Sequence, residues 1–238
     1  MNPKRNTAIL VGALLILGTA AGILLGALLI PILQAPDYLI KIYANKNVVA
    51  AAIILQFTMA FACTGVGISL YPILKKHHEG FAIGAAAFRM MEGMNGIIVA
   101  ICLASLLALS QEFGQAGAPA SSQFHALGAL LKSAYDWVNN VPMLLTWHIG
   151  ALMYYAVFYK TMLLPRWLSV WGFLGIALSV VYCVLILFGI ASSSDAVASG
   201  LNVPILLQEM VMAVWLIVKG FAPTLSSSSP VRRMVESY

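Results

Sequence analysis

The sequence predicts an all-α, polytopic integral membrane protein: a six-helix transmembrane bundle with an extracytoplasmic amphipathic helix between its third and fourth spans. Three observations carry that expectation. Hydrophobic residues make up 61% of the 238 residues and charged residues only 9%, against about 25% charged in a soluble domain. Mean hydropathy is +0.93. The apolar residues gather into six runs, each close to or above the roughly 20 residues with which a helix crosses a bilayer core. Such a chain cannot cover itself with polar surface in water. A cytosolic enzyme, a disordered tail and a secreted disulfide module are thereby excluded, and the first partner is the lipid bilayer.

Taken in order, the spans are 8–32, 48–74, 81–109, 141–163, 166–190 and 201–222. The first follows Lys4 and Arg5 like a signal peptide, but it outruns the roughly 7–15 apolar residues of such a segment and reads as a retained helix. The second and third are joined across 75–80, and the fourth and fifth across Leu164 and Pro165, connections that allow only antiparallel neighbours. Between spans three and four lies the one long connection. It opens with the loop-forming run Gln115 to Ser122. It continues with Phe124, Leu127, Leu131, Tyr135 and Val138 at helical spacing, with Ser121 or Ser122 as N-cap. This segment, about 122–138, is expected to lie on the outer face as a strap or as a lid. Residues 1–225 form a single domain, and 226–238 a flexible cytoplasmic tail.

Basic residues orient the bundle. With the amino terminus inside, the inner side holds Lys4, Arg5, Lys75, Lys76, Lys160, Arg166, Lys219, Arg232 and Arg233, and the outer side only Lys41, Lys46 and Lys132. Nine against three is a positive-inside bias, and six spans then put both termini in the cytoplasm. The net charge of +5 is thus explained without nucleic acid. Gly18, Gly22 and Gly26 form a double GxxxG on the first span, a face on which backbones can approach. The expectation is internal packing, with an oligomer contact as the alternative use of that face. Cys63, Cys102 and Cys183 read as buried small hydrophobes, and Met90, Met91 and Met94 as packing filler.

Chemistry must rest on the few polar residues deep in the spans: Gln56, Arg89, Glu92, Asn95, His148, Gln208 and Glu209. A charge at a helix centre costs about 2.5–3.5 kcal/mol on insertion scales, so such groups need partners. Arg89 and Glu92, three residues apart, can pair on their own helix. Glu209 has no polar i±3 or i±4 neighbour and must look to another span. Counting from the inner edge puts Glu92, His148 and Glu209 at similar depth. The expectation is that spans three and six touch, that Arg89, Glu92 and Glu209 form one cluster, and that His148 is its relay. His148 stands without a second histidine at its depth, so no haem or metal set is expected and no cofactor. No GxSxG, HExxH or phosphate-binding glycine loop occurs.

Three stretches add a resemblance. Leu70-Tyr71-Pro72-Ile73-Leu74-Lys75-Lys76 leads to Phe88-Arg89-Met90-Met91-Glu92. Leu164-Pro165-Arg166-Trp167-Leu168-Ser169-Val170-Trp171-Gly172 follows. Leu207-Gln208-Glu209-Met210 leads to Trp215-Leu216-Ile217-Val218-Lys219-Gly220-Phe221. Together they resemble the membrane family catalogued as domain of unknown function 4386, from the first helix to Phe221. The resemblance implies six helices and a bacterial plasma membrane, and no activity.

Three functions are weighed on these residues. The first is binding or transport of a small molecule or a proton at the buried Arg/Glu/His cluster. The second is a non-catalytic accessory or sensory protein whose buried charges only join helices. An intramembrane enzyme or redox protein comes third, since no nucleophile or cofactor set asks for it.

Overall fold

In the computed structural model, residues 3–118 and 122–222 are described. The expected cap at Ser121 and the tail at 226–238 lie outside the described residues. The chain is all-α: α1 (Pro3–Leu33), α2 (Tyr38–Ala44), α3 (Lys46–Leu74), α4 (Glu79–Gln115), α5 (Ser122–Asn140), α6 (Pro142–Thr161), α7 (Arg166–Leu187), α8 (Ala196–Gly200) and α9 (Val203–Val218). Among the described residues six helical segments are long and apolar enough to cross a membrane, the fourth taking in α5 and α6 and the last α8 and α9 in succession. They form a six-helix bundle, as a multi-pass membrane protein requires.

Local chemistry sets the ends. The imidazole Nδ1 of His78 accepts from the Phe81 amide at 3.1 Å and caps α4. Pro142 opens α6, where its missing N–H costs nothing. Asp195 accepts from the amides of Val197 and Ala198 and caps α8. The Arg5 guanidinium donates to the carbonyls of Leu216 and Ile217, placing a cation on the negative end of α9.

Besides shifts of a few residues at the helix ends, three features differ from the sequence expectation. α4 continues past residue 109 to Gln115, because Ser110, Gln111 and Glu112 end the apolar run without ending the helix. The short α2 was not foreseen. The sixth span does not begin at 201 as one helix; it is broken at Leu201 and Asn202 between α8 and α9. In α5, Phe124, Leu131 and Val138 are half-buried and Tyr135 is buried, but Leu127 is exposed, and Gly128 takes its place against Tyr38 and Leu39.

α3 packs along both α1 and α4, α4 along α6, α1 along α9, and α7 along α6 and α9. Gly18 and Gly22 are used inside the chain, facing Ala62, Cys63 and Met59 of α3, whereas Gly26 meets only its own helix at Ile30. Met90, Met91 and Met94 are not interior filler; they face outward, where a lipid-facing side chain belongs. One apolar core joins Leu70, Ile73, Ala82, Ala85, Tyr154 and Phe158 at the amino-terminal side. A second joins Ala52, Val99, Leu103, Leu106 and Met143 at the other end. On α3, α4 and α6 the stretch between the two cores carries Gln56, Arg89, Glu92, Asn95 and His148, so the polar residues share one middle layer.

Candidate functional site

Arg89 occupies a slot that two glycines open. A methyl group added at Gly67 of α3 would lie 2.6 Å from the Arg89 Cβ, and one at Gly150 of α6 would lie 3.4 Å from its Cγ. The guanidinium is then enclosed, with Arg89 2% exposed and Glu92 5%. Arg89 Nε donates to the Cys63 carbonyl at 3.3 Å. Its Nη1 stands 3.0 Å from Glu92 Oε2, one turn along the same helix. This contact is an ion pair without an aligned hydrogen bond, since Glu92 Oε2 has no hydrogen-bond partner. The Cys63 side chain lies within hydrogen-bonding reach of Glu92.

Glu209 approaches the same place from α9. It is 8% exposed, and its Oε1 accepts from Trp147 Nε1 of α6 at 3.2 Å. Its charge interacts with those of Arg89 and Glu92. The Tyr154 hydroxyl is buried beside Tyr155 and within the electrostatic influence of Glu209, Arg89 and Glu92. Arg89 is thus in an ion pair with Glu92 alone, and Glu209 feels both charges from farther off in the same water-poor layer. Full neutrality needs one further positive charge, and a proton supplies it with no extra volume.

Spans three and six are not, however, a closely packed pair. α9 packs on α1 and α7, and α4 on α3 and α6, so the expected touching of spans three and six is not found, and Glu209 is held instead by Trp147 of α6. Gly12 of α1 brings α9 close: an added methyl there would lie 2.6 Å from the Ala213 carbonyl oxygen.

The remaining residues divide. Gln208, next to Glu209, points about 100° around the helix from it. Its Oε1 accepts from Tyr155 at 2.6 Å and its Nε2 donates to the Leu168 carbonyl at 3.0 Å, joining α9 to α6 and α7. Gln56 donates to the Gly96 carbonyl at 3.2 Å, and Asn95 to Thr146 at 3.3 Å. These three join helices. His148 is 1% exposed and neither ring nitrogen has a hydrogen-bond partner. Its ring lies 5.0 Å from that of Trp147, so it adjoins the cluster through the indole. Cys63, Trp147 and Tyr154 were not singled out from sequence. A Trp one residue before a buried His, at the depth of a lone Glu, was the signal available for Trp147. Among the described residues no group of three His, Cys, Asp or Glu side chains is placed to hold a metal.

No curated protein and no solved structure matches the chain. The family model described as Domain of unknown function (DUF4386) matches residues 10–220. That range takes in all six apolar helical segments apart from the start of the first, and also Arg89, Glu92, His148 and Glu209. The chain therefore belongs to the DUF4386 family.

Proposed function

We propose that this is a proton-handling membrane protein in which Arg89, Glu92 and Glu209 bind and release one proton between them. The observation that carries the reading is the charge count: two enclosed carboxylates with one guanidinium, and no second cation beside them among the described residues. Enclosure favours a proton over a bulky solute. Trp147 borders the site as a donor to Glu209, the Tyr154 hydroxyl adjoins it as a group that can exchange a proton, and His148 stands beyond the indole, which only donates. A helix-joining role fits Gln56, Asn95 and Gln208, whose hydrogen bonds cross between helices. Bonds of that kind average about 0.6 kcal/mol in membranes, too little to repay the burial of a charged group. The nine-to-three distribution of basic residues supports an orientation with both termini in the cytoplasm, and the family resemblance implies a bacterial inner membrane.

Infrared difference spectra between acidic and alkaline buffer test the proposal, read at the protonated-carboxyl stretch of the protein in lipid. The wild type is expected to gain this band on acidification. Glu209→Gln should remove it while leaving the fold intact, and Glu79→Gln, at the exposed Lys75–Glu79 pair, should not. A band unchanged by Glu209→Gln and by Glu92→Gln would refute the proposal.

A further inference from the structure

At the amino-terminal side of the bundle, where α9 ends, two cavities share a wall. One, of about 430 Å³, is lined by Leu163, Leu164, Arg166, Trp215, Lys219 and Phe221, among others. The other, of about 400 Å³, runs along the outer side of α9 over Met210, Val211, Val214 and Val218, and reaches the same Trp215 and Lys219. The first carries two cations and no carboxylate. The second is apolar apart from its Lys219 end, and Val214 and Val218 are 54% and 64% exposed on it.

The two cations are held in place without being neutralised. The Arg166 guanidinium lies 5.3 Å from the centre of the Tyr159 ring. Its Nε donates to the Tyr159 carbonyl at 3.5 Å. Lys219 Nζ lies 5.7 Å from the Trp215 ring centre. Neither cation is in an ion pair among the described residues. α7 begins at Arg166, so its positive end also faces this corner. Gly220, at φ +75°, turns the chain, and the Ala222 amide then donates to the Leu163 carbonyl at 2.9 Å, closing the pocket on one side. A basic corner that opens onto an apolar groove at the end of a span matches an anionic amphiphile in both its parts.

We propose that this corner binds an anionic phospholipid, its phosphate between Arg166 and Lys219 and one acyl chain along α9 from Val218 to Met210. Two features favour a lipid over a free phosphate. The apolar groove continues from the basic pocket through shared residues, and the pocket lies at the end of the spans where headgroups are found.

Native mass spectrometry of the full chain, released from vesicles of phosphatidylglycerol and phosphatidylcholine in equal parts, tests this. The wild type should retain phosphatidylglycerol in preference to phosphatidylcholine. Surface cations near anionic lipid are worth about fivefold each, so Arg166→Gln with Lys219→Gln should weaken retention by about 25-fold. Lys75→Gln with Lys76→Gln, the same charge change at another loop, should leave it within about twofold, and Lys219→Arg should retain the lipid. Should the double variant fail to fold, Lys219→Gln alone is expected to cost about fivefold. Equal retention of the two lipids, or equal loss in the two double variants, overturns the proposal. Displacement of the retained lipid by millimolar inorganic phosphate or glycerol phosphate also overturns it, in favour of a free-anion site.

Discussion

Arg89 is the residue on which the buried layer depends. It supplies the positive charge paired with Glu92 and felt by Glu209, and it fits because Gly67 carries no side chain. Removing one partner of a buried pair costs about 3–5 kcal/mol, because the other charge is left alone. Arg89→Ala should therefore lower stability in detergent by about that amount, measured by thermal unfolding, and Glu92→Gln should restore part of it in the double variant. The Arg89–Glu92 pair was legible in the sequence, since a spacing of three places both on one helix face. Glu209 was legible as a carboxylate with no partner on its own helix. Its indole partner was not, because Trp147 and Glu209 are 62 residues apart and no local period relates them. Cys63 escaped for a different reason: as a small apolar residue in an apolar run, it gives no sign that its carbonyl and thiol lie beside Arg89 and Glu92.

At the scale of elements, length and hydropathy gave the spans, and polar interruptions misplaced their ends. α4 runs on through Ser110, Gln111 and Glu112, since a helix leaving the apolar layer can keep its backbone bonds while its side chains turn polar. α2, seven residues long, is shorter than two helical turns and leaves no readable period. Glycines on α1 show the gap between motif and packing. Gly22 and Gly26 complete the GxxxG pattern, yet it is Gly12, outside the pattern, that lies against the α9 backbone. Gly12→Ala should cost about 1–3 kcal/mol of stability through overpacking. Gly26→Ala should be neutral or stabilising by up to about 1 kcal/mol through helix propensity. Thermal unfolding of the two variants side by side checks both, and equal effects would show that α1 packs otherwise.

Over the whole molecule, two apolar cores enclose a polar layer, and α1 closes the ring by packing on both α3 and α9. This arrangement keeps Arg89, Glu92 and Glu209 away from lipid although they come from helices far apart in sequence. The proposed orientation puts Lys75 and Lys76 in the cytoplasm, so a cysteine introduced at His78 should resist a membrane-impermeant maleimide in intact cells and react once the cells are opened. Labelling in intact cells would invert the topology and with it the side on which the Arg166–Lys219 corner lies.

The central claim, that the enclosed cluster exchanges a proton, is tested most directly by the emission of Trp147 as pH is varied. Its indole N–H bonds to Glu209, so protonation of the cluster alters the indole's surroundings. The difference in emission between wild type and Trp147→Phe isolates it from the other four tryptophans. His77 is the control for the basic loop. Burial first, then the charges of Lys4 and Lys76, hold its pKa below the usual histidine value, so folding disfavours its protonated form. Any stability it contributes is present above the ordinary histidine range and lost as pH falls through the lowered value, and His77→Gln removes it. With the protein folded throughout by circular dichroism, the account predicts a reversible one-proton transition in Trp147 emission that persists in His77→Gln and vanishes in Glu209→Gln. Emission that is flat in the wild type, or a transition that survives Glu209→Gln unchanged, would contradict it.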